Sequence, residues 1–187
     1  MLNQKLQPQQ AIPVIQSGGI IAYPTEAVYG LGCDPDNLAA LNRLLILKDR
    51  PWQKGLIIVA SDWEQLTDYV DFAKMTDEQM TEAKSKWPGP VTQVMPAKAS
   101  VSSKLKGSFN TIAVRISAHS IVQQLCQSLG KPLVSTSANL AGEPPALSIE
   151  QIEHVFEHQL DAIILGELGN QNQPSRIIDV LTGQVLR

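Results

Sequence analysis

The stretch from Lys48 to Gly55 holds the densest group of cations in the sequence. It reads Lys-Asp-Arg-Pro-Trp-Gln-Lys-Gly, with three cations and one carboxylate, in a chain whose 15 Lys and Arg are outnumbered by 18 Asp and Glu. Cations without matching carboxylates are suited to phosphates or another polyanion, and a glycine lets the backbone approach a ligand. An exposed basic loop would show the same charge pattern. The charge alone supports both interpretations equally.

Arg115 and Thr25 are the next candidates, because each lies near the end of a predicted strand, where ligand sites of α/β proteins gather. Arg115 ends an apolar strand and needs a partner, since an unpaired buried charge is costly. That partner is either a carboxylate of the chain or a bound carboxylate or phosphate. The hydroxyl groups of Thr25, Tyr23 and Tyr29 are suited to orienting a polar ligand. A plain connection between two elements has the same composition.

A polar corner follows the predicted strand at 133–136. It reads Ser135-Thr136-Ser137-Ala138-Asn139. Three hydroxyls and one amide provide neutral hydrogen-bonding groups that are suited to phosphate oxygens. A turn or a helix N-cap uses the same residue types. The corner is therefore a candidate phosphate cradle with a structural alternative.

The elements that must carry these residues are indicated by apolar periodicity and by Gly and Pro stops. Helices are predicted at 7–17, 37–48, 62–69, 76–85, 121–129 and 149–157, and strands at 19–23, 56–60, 91–95, 111–116, 133–136, 162–165, 176–180 and 184–186. The cations at 48–55 then suit the negative end of a helix dipole. Strands alternating with helices, followed by a strand-rich tail, indicate a single α/β domain over 1–187 with a mixed parallel and antiparallel sheet flanked by helices.

Composition and motifs exclude several classes of function. With 43% apolar and 18% charged residues and no long apolar run, the chain is typical of a globular domain without a membrane partner. The N-terminus lacks the apolar core of a secretory signal, and two distant cysteines form no disulfide framework, so the cytoplasm is the expected compartment. The sequence contains no GxxxxGK[ST], GxGxxG, HExxH or GxSxG motif. No metal site is predicted from three scattered histidines.

Six segments together resemble the YrdC-like family, the threonylcarbamoyl-adenylate synthases of tRNA modification. They are AYPTEAVYGLG at 22–32, LKDRPWQKG at 47–55, WPGPVT at 87–92, TIAVR at 111–115, LVSTSAN at 133–139 and PSRIID at 174–179. Each segment is weak alone, but their order and spacing cover nearly the whole chain. The resemblance, strongest to the short bacterial members, implies a YrdC-like fold with a concave, positively charged cavity.

The resemblance also implies a reaction, in which L-threonine, bicarbonate and ATP give L-threonylcarbamoyladenylate, diphosphate and water. The protein is then a nucleotidyltransferase at the first step of threonylcarbamoyladenosine formation in tRNAs that read ANN codons. A carbamate oxygen attacks the α-phosphorus of ATP, so no protein nucleophile is required. Mg²⁺ is expected to arrive bound to ATP. The expected partners are tRNA threonylcarbamoyl-transfer proteins of the TsaD, TsaB and TsaE type.

The implied residue roles fall into two groups around the substrates. Lys48 and Arg50 form the catalytic pair that holds the triphosphate, and replacing either with Ala is predicted to abolish turnover without changing the thermal midpoint. The other ATP-binding residues are Lys54, Thr111, Ser135, Ser137, Asn139 and Arg187. Threonine is expected to contact Thr25, Ser175 and Arg115, whose guanidinium binds the carboxylate. Lys54 and Arg176 depart from the family's pattern, in which an Asn and a small hydroxyl residue are common.

A binding module without catalysis is the alternative function. Family members have been regarded as double-stranded RNA binders and ribosome-maturation factors. A basic surface for tRNA or double-stranded RNA would use Lys84, Lys86, Lys98, Lys104 and Lys106. A net charge of −3 and 5% aromatic residues are unfavourable for a general nucleic-acid binder. A family member with another ligand is a second alternative, against which the combined Lys48, Arg50, Ser137 and Asn139 argue.

Overall fold

A single mixed sheet runs through the molecule, whose computed structural model describes residues 4–187. Its strands are β1 Gln4–Leu6, β2 Ile21–Pro24, β3 Tyr29–Gly32, β4 Ile57–Ala60, β5 Val91–Pro96, β6 Thr111–Ile116, β7 Leu133–Ser137, β8 Ala162–Ile164 and β9 Arg176–Asp179. Their order is β1-β8-β2-β3-β7-β4-β6-β5-β9. The pairs β1–β8, β8–β2, β4–β6 and β5–β9 are parallel and the others antiparallel. The predicted α/β class and mixed sheet are confirmed.

The helices are short and carry local start and stop signals. They are α1 Ile12–Gln16, α2 Leu38–Leu47, α3 Asp77–Ser85, α4 Ser103–Lys106, α5 Ser120–Leu129 and α6 Ile149–Phe156. Asn37 caps α2 by accepting a hydrogen bond from Ala40 N, and Thr76 forms a capping box with Gln79 at α3. Gly130 ends α5 in the left-handed conformation. Single 3₁₀ turns lie at Pro8–Ala11, Trp52–Lys54, Glu64–Leu66 and Phe72–Lys74.

The two faces of the sheet are covered differently. On one face, a large core joins α2, α3 and α6 to the strands, and includes Leu44, Val134 and Phe156. On the other face, a smaller core packs α5 and α1 against β2, β4, β7 and β8, and includes Tyr23 and Leu125. Successive side chains of a strand point to opposite faces, so the rest of this second face, over β4, β6, β5 and β9, presents alternate residues to a cavity. The fold thus leaves half of one sheet face for a ligand.

Several predicted elements differ in the structure. The segment interpreted as a connection after residue 24 contains β3, which forms a hairpin with β2 and pairs Tyr23 with Gly30. Glycine contributes no apolar side chain, so Gly30 and Gly32 leave no strand pattern in the sequence. Glycine is needed at position 32, because a Cβ there would meet the carbonyl oxygen of Val134. The helix at 7–17 is divided into a 3₁₀ turn and α1, with Pro13 in the first turn of α1. The predicted strand at 184–186 is reduced to one bridge, Ile178 with Val185.

The predicted helix at 62–69 is wrong beyond its 3₁₀ turn at Glu64–Leu66. Asp62 Oδ1 accepts a hydrogen bond from Gln65 N at 3.0 Å, while Gln65 Oε1 accepts one from Ser61 N at 3.1 Å. These polar side chains replace helical backbone bonds with a local turn. β1 and α4 were not predicted from the sequence.

Two observations concern membrane-spanning helices and the two cysteines. Within residues 4–187, no helix has the length and apolar character needed to cross a membrane. Cys33 and Cys126 are buried and unpaired, as expected. Burial raises the pKa of both thiols to about 12, so neither is a reactive thiolate near neutral pH.

Candidate active site

A cavity of about 680 Å³ lies on the open half of the sheet. Its floor includes Thr111, Ala113 and Arg115, alternate residues of β6, with contributions from β4, β5, β7 and β9. The volume falls within the range of roughly 300–1,000 Å³ that is common for small-molecule sites. The predicted site residues that line this one cavity are Thr25, Arg50, Lys54, Thr111, Arg115, Ser135, Ser137, Ser175 and Arg187. Lys48 and Asn139 are the two predicted residues outside the lining.

The lining combines five cations with two carboxylates. The cations are Arg50, Lys54, Lys106, Arg115 and Arg187, and the carboxylates are Glu26 and Asp179. From the sequence, Lys106 was assigned only to a basic surface for RNA, and Glu26 and Asp179 lie in segments 22–32 and 174–179 without a predicted role, because the sequence does not show which side chains face the cavity. The predicted positive charge of the cavity agrees with this composition and stays a prediction for the electrostatic potential itself.

The cationic segment 48–55 turns sharply at the end of α2 and then reaches the cavity. Asp49 has a positive φ of 46°, and Arg50 N returns to Leu45 O at 2.9 Å. The guanidinium of Arg50 donates from Nε and Nη2 to Gly55 O, at 3.1 and 2.8 Å. Burial lowers the pKa of Arg50, although an arginine stays charged. One edge of Arg50 is thus fixed by the backbone of its own loop.

Gly55 is required by both its conformation and its neighbours. Its φ is 63°, and an added Cβ would meet the backbone of Leu105 and Lys106 at 3.0–3.1 Å. Leu56 N donates to Leu105 O at 2.8 Å, which ties the loop to α4. This close approach holds Lys54 and Lys106 at the same wall of the cavity.

Lys48 lies outside the cavity lining and contacts the polar corner at the end of β7. Its Nζ donates to Ser137 O at 2.6 Å and Asn139 O at 2.7 Å, and lies 3.3 Å from Asn139 Oδ1. The residue is only 6% exposed. Burial, and secondarily the nearby Arg50, lower the pKa of Lys48 to about 8. Lys48 therefore contacts the corner directly, and its predicted contact with phosphate stays a prediction.

Asn139 uses its side-chain amide to shape the same corner. Its Oδ1 accepts from Ser137 Oγ at 2.6 Å, and its Nδ2 donates to Leu140 O and Glu143 O at 3.0 and 2.7 Å. Both ends of the amide are occupied by the chain. Lys48 and Asn139 thus fix the position of Ser137, which does line the cavity.

Arg115 has a carboxylate partner inside the cavity wall. Its Nη1 lies 3.2 Å from Glu26 Oε2, and both side chains are about nine-tenths buried. Glu26 Oε1 also accepts a hydrogen bond from Ser117 Oγ at 2.6 Å. The structural alternative for Arg115 is therefore present, but the pair also lines the cavity, so a ligand role is retained. The sequence signalled the need for a partner without identifying Glu26.

The hydroxyl groups near residue 25 differ in position. Thr25 Oγ1 donates to Val28 O at 2.7 Å and lines the cavity, so its oxygen can still accept a hydrogen bond from a ligand. Tyr29 also lines the cavity, with its hydroxyl 3.3 Å from Gly166 O. Tyr23 is fully buried and donates to Val134 O at 3.1 Å. Tyr23 therefore has a core role only.

The far wall comes from the end of the chain. Ser175 Oγ lies 2.8 Å from Thr92 Oγ1, and Ser175 O accepts from Arg187 Nη2 at 3.1 Å. Ser175, Thr92 and Arg187 all line the cavity, whereas Arg176 is exposed and lies outside the lining. Within the described residues, no three His, Cys, Asp or Glu side chains form a group that could hold a metal ion.

A model of the Sua5/YciO/YrdC family, described as "Telomere recombination", matches residues 13–187. The chain belongs to this family. P. abyssi Sua5 complexed with L-threonine is 31% identical with a TM-score of 0.88, over 100% of this chain and 56% of that one. E. coli YciO is 28% identical with a TM-score of 0.85, over 100% of this chain and 91% of that one.

Further matches define the extent of the likeness within the family. The solution structure of MTH1692 from Methanobacterium thermoautotrophicum is 25% identical with a TM-score of 0.74, over 96% of this chain and 85% of that one. The chain spans about half the length of the P. abyssi Sua5 chains that it matches. The family resemblance in the sequence is confirmed.

Proposed function

We propose that this protein is a threonylcarbamoyl-AMP synthase, which converts L-threonine, bicarbonate and ATP to L-threonylcarbamoyladenylate, diphosphate and water. The observation that carries the proposal is one cavity lined by two kinds of cationic site. Arg115 lies beside Glu26 at one part of the floor, and Arg50 and Lys54 line another wall. An amino acid and a triphosphate need these two environments next to each other.

Threonine would occupy the part of the cavity near Arg115. Its carboxylate would bind the guanidinium, and its polar groups would meet the hydroxyl of Thr25 and the region of Ser175. P. abyssi Sua5, which has been obtained as a complex with L-threonine, supports a threonine site in this fold. The low exposure of Arg115 would strengthen this interaction, because a poorly solvated ion pair is screened less than an exposed one.

ATP would bind along the wall formed by the cationic segment and the polar corner. Arg50 and Lys54 would contact the triphosphate, and Ser135, Ser137, Thr111 and Arg187 would supply hydrogen bonds on the nucleotide side. Lys48 and Asn139 would act through the corner that they hold. Mg²⁺ would enter as part of the MgATP substrate.

The proposed chemistry needs positioning and charge neutralisation rather than a protein nucleophile. The threonine amine attacks the carbon of bicarbonate, which loses water and leaves a carbamate. A carbamate oxygen then attacks the α-phosphorus, and the bond to the bridging oxygen breaks to release diphosphate. Arg50 and Lys54 would stabilise the negative charge that develops on the phosphates. Enclosure of both substrates in one cavity makes the second step effectively intramolecular.

The product is a reactive mixed anhydride, so a tRNA threonylcarbamoyl-transfer system of the TsaD, TsaB and TsaE type would consume it.

The alternative of an RNA-binding module finds little support in the lysines first assigned to it. Lys86 pairs with Glu82 at 2.9 Å, and Lys84 Nζ lies 4.9 Å from the ring centroid of Trp63. Lys106 instead lines the main cavity. Three of the five lysines assigned to an RNA surface therefore serve separate contacts.

Diphosphate release in mixtures that omit one substrate at a time tests the proposal. We expect release only when ATP, bicarbonate and threonine are all present, with the adenylate detected by mass. Orthophosphate in place of diphosphate would indicate an ordinary ATPase. Release without threonine, or no release at all, would contradict the synthase assignment.

A further inference from the structure

Glu26 is the buried carboxylate of the cavity floor, and it has no role in the proposed reaction steps. It is 8% exposed and accepts a hydrogen bond from Ser117 Oγ at 2.6 Å. Its other oxygen, Oε2, lies 3.2 Å from Arg115 Nη1, yet Oε2 has no hydrogen-bond partner, and neither does Arg115 Nε. The contact is therefore an ion pair without aligned hydrogen bonds, beside a cavity that both side chains line.

Ser117 is a fixed anchor for this carboxylate. It is fully buried, its N–H donates to Ala60 O at 3.1 Å, and its carbonyl accepts from Gln123 Nε2 at 3.1 Å. Its Oγ also accepts from His119 N at 3.1 Å. Because every polar group of Ser117 is committed, the hydroxyl that binds Glu26 has little freedom to move.

The backbone of Glu26 is fixed from the opposite side. Glu26 O accepts a hydrogen bond from Gln171 N at 3.0 Å, and Thr25 O accepts one from Gly169 N at 2.9 Å. A Cβ at Gly169 would meet Glu26 Cα and O at 2.7 Å, so the two segments are in close contact. A carboxylate held at its backbone and at one oxygen fixes the guanidinium beside it.

We propose that Glu26 is a positioning and selectivity residue, which orients Arg115 and makes this part of the cavity select a zwitterion over a plain carboxylate. The Glu26–Arg115 pair has no net charge, so an approaching anion meets an already neutralised guanidinium. A ligand with both an ammonium and a carboxylate interacts favourably with both members of the pair. An α-amino acid is such a ligand, and the inference therefore rests on the proposed threonine site.

The test compares L-threonine with (R)-3-hydroxybutyrate, which is threonine without its amine. Both ligands are titrated calorimetrically, without ATP, into the wild type, Glu26→Gln and the exposed ion-pair control Glu82→Gln. We expect Glu26→Gln to weaken threonine binding by about 30-fold or more while 3-hydroxybutyrate binds equally well or more tightly, since truncating one partner of a buried charge pair has effects of this size. Glu82→Gln should match the wild type, because its side chain is 69% exposed and pairs with Lys86.

The ratio of the two affinities separates positioning from general damage. A purely structural role for Glu26 would weaken both ligands equally, and that result, or an unchanged threonine affinity, would overturn the inference. Ser117→Ala provides a second variant if Glu26→Gln does not fold. It keeps both charges but removes the anchor, and we expect threonine affinity to fall several-fold with the KM for ATP unchanged. Unchanged threonine affinity in Ser117→Ala would also overturn the inference. If the folded wild type binds no threonine, the proposed function fails instead.

Discussion

Two cation sites in the same cavity are held by opposite means. Two cations of segment 48–55 are held by neutral carbonyl oxygens: Arg50, in the cavity wall, by Gly55 O, and Lys48, outside the lining, by Ser137 O and Asn139 O. Within residues 4–187, none of the three cations of this segment forms an ion pair. Arg115, by contrast, lies 3.2 Å from the carboxylate of Glu26.

The difference indicates which ligand each site suits. Carbonyl dipoles fix a cation without cancelling its charge, so the segment keeps its full attraction for a polyanion such as a triphosphate. A paired cation has lost most of its long-range field and suits a ligand with no net charge, such as an amino acid. The same side-chain chemistry thus serves two substrates, because its partners differ.

The largest effect that we expect comes from Arg50→Ala. Loss of a guanidinium that faces developing phosphate charge should reduce kcat/KM by about 10²- to 10³-fold. The thermal midpoint should stay close to that of the wild type, because the contact of Arg50 with Gly55 O is local to one loop. Diphosphate release and a thermal melt measure the two quantities.

Lys74→Ala is the matched control for Arg50→Ala. Lys74 is 64% exposed and pairs only with Asp71 in the described contacts, so its loss should change neither activity nor melting. A large fall in the midpoint of Arg50→Ala would show that the cationic segment is structural. Full activity in Arg50→Ala would remove the contrast between the two sites.

The way each site is built decides how much of this contrast could be predicted from the sequence. Segment 48–55 is continuous, so its charge, its turn residues and its place after a helix were visible in the chain. The direction of Lys48 was not, because it depends on how α2 packs against the end of β7. Because Lys48 joins the end of α2 to the corner after β7, we expect a lower thermal midpoint for a Lys48 variant, whereas the sequence predicted no change.

The site of Arg115 was predictable only in part. A charge at the end of an apolar strand required a partner, but the sequence offers 18 carboxylates, and strand pairing decides which one arrives. Glu26 and Ser117 are 91 residues apart and meet only when β2 and β6 lie in the same sheet. The β2–β3 hairpin that holds Thr25 was not predicted either, because glycine contributes no apolar side chain to a strand pattern.

A smaller effect is expected from the pair that shapes the corner. Lys48→Met and Asn139→Ala should each displace Ser137 and reduce kcat/KM by up to about 10²-fold, as small misplacements at a reacting centre can. Because both residues act on the same corner, the double variant should be little worse than the poorer single one. The coupling energy in the double-mutant cycle should be about 0.5–3 kcal/mol. Strictly additive losses would show that the two residues bind ATP independently.

The smallest expected effect is that of salt on binding of the two ligands. Binding of a non-hydrolysable MgATP analogue should weaken about fivefold between roughly 0.05 and 0.3 M NaCl, because the field of unpaired cations is screened within about 10 Å at 0.1 M. Threonine is a zwitterion and the Glu26–Arg115 pair is neutral, so its affinity should change less than about twofold over the same range. Calorimetric titrations at four salt concentrations, with one protein preparation, measure how the affinity for each ligand depends on salt. If both affinities fell equally with salt, the carboxylate of Glu26 would not neutralise the charge of Arg115 that the ligand meets. The distinction between the two sites would then be wrong.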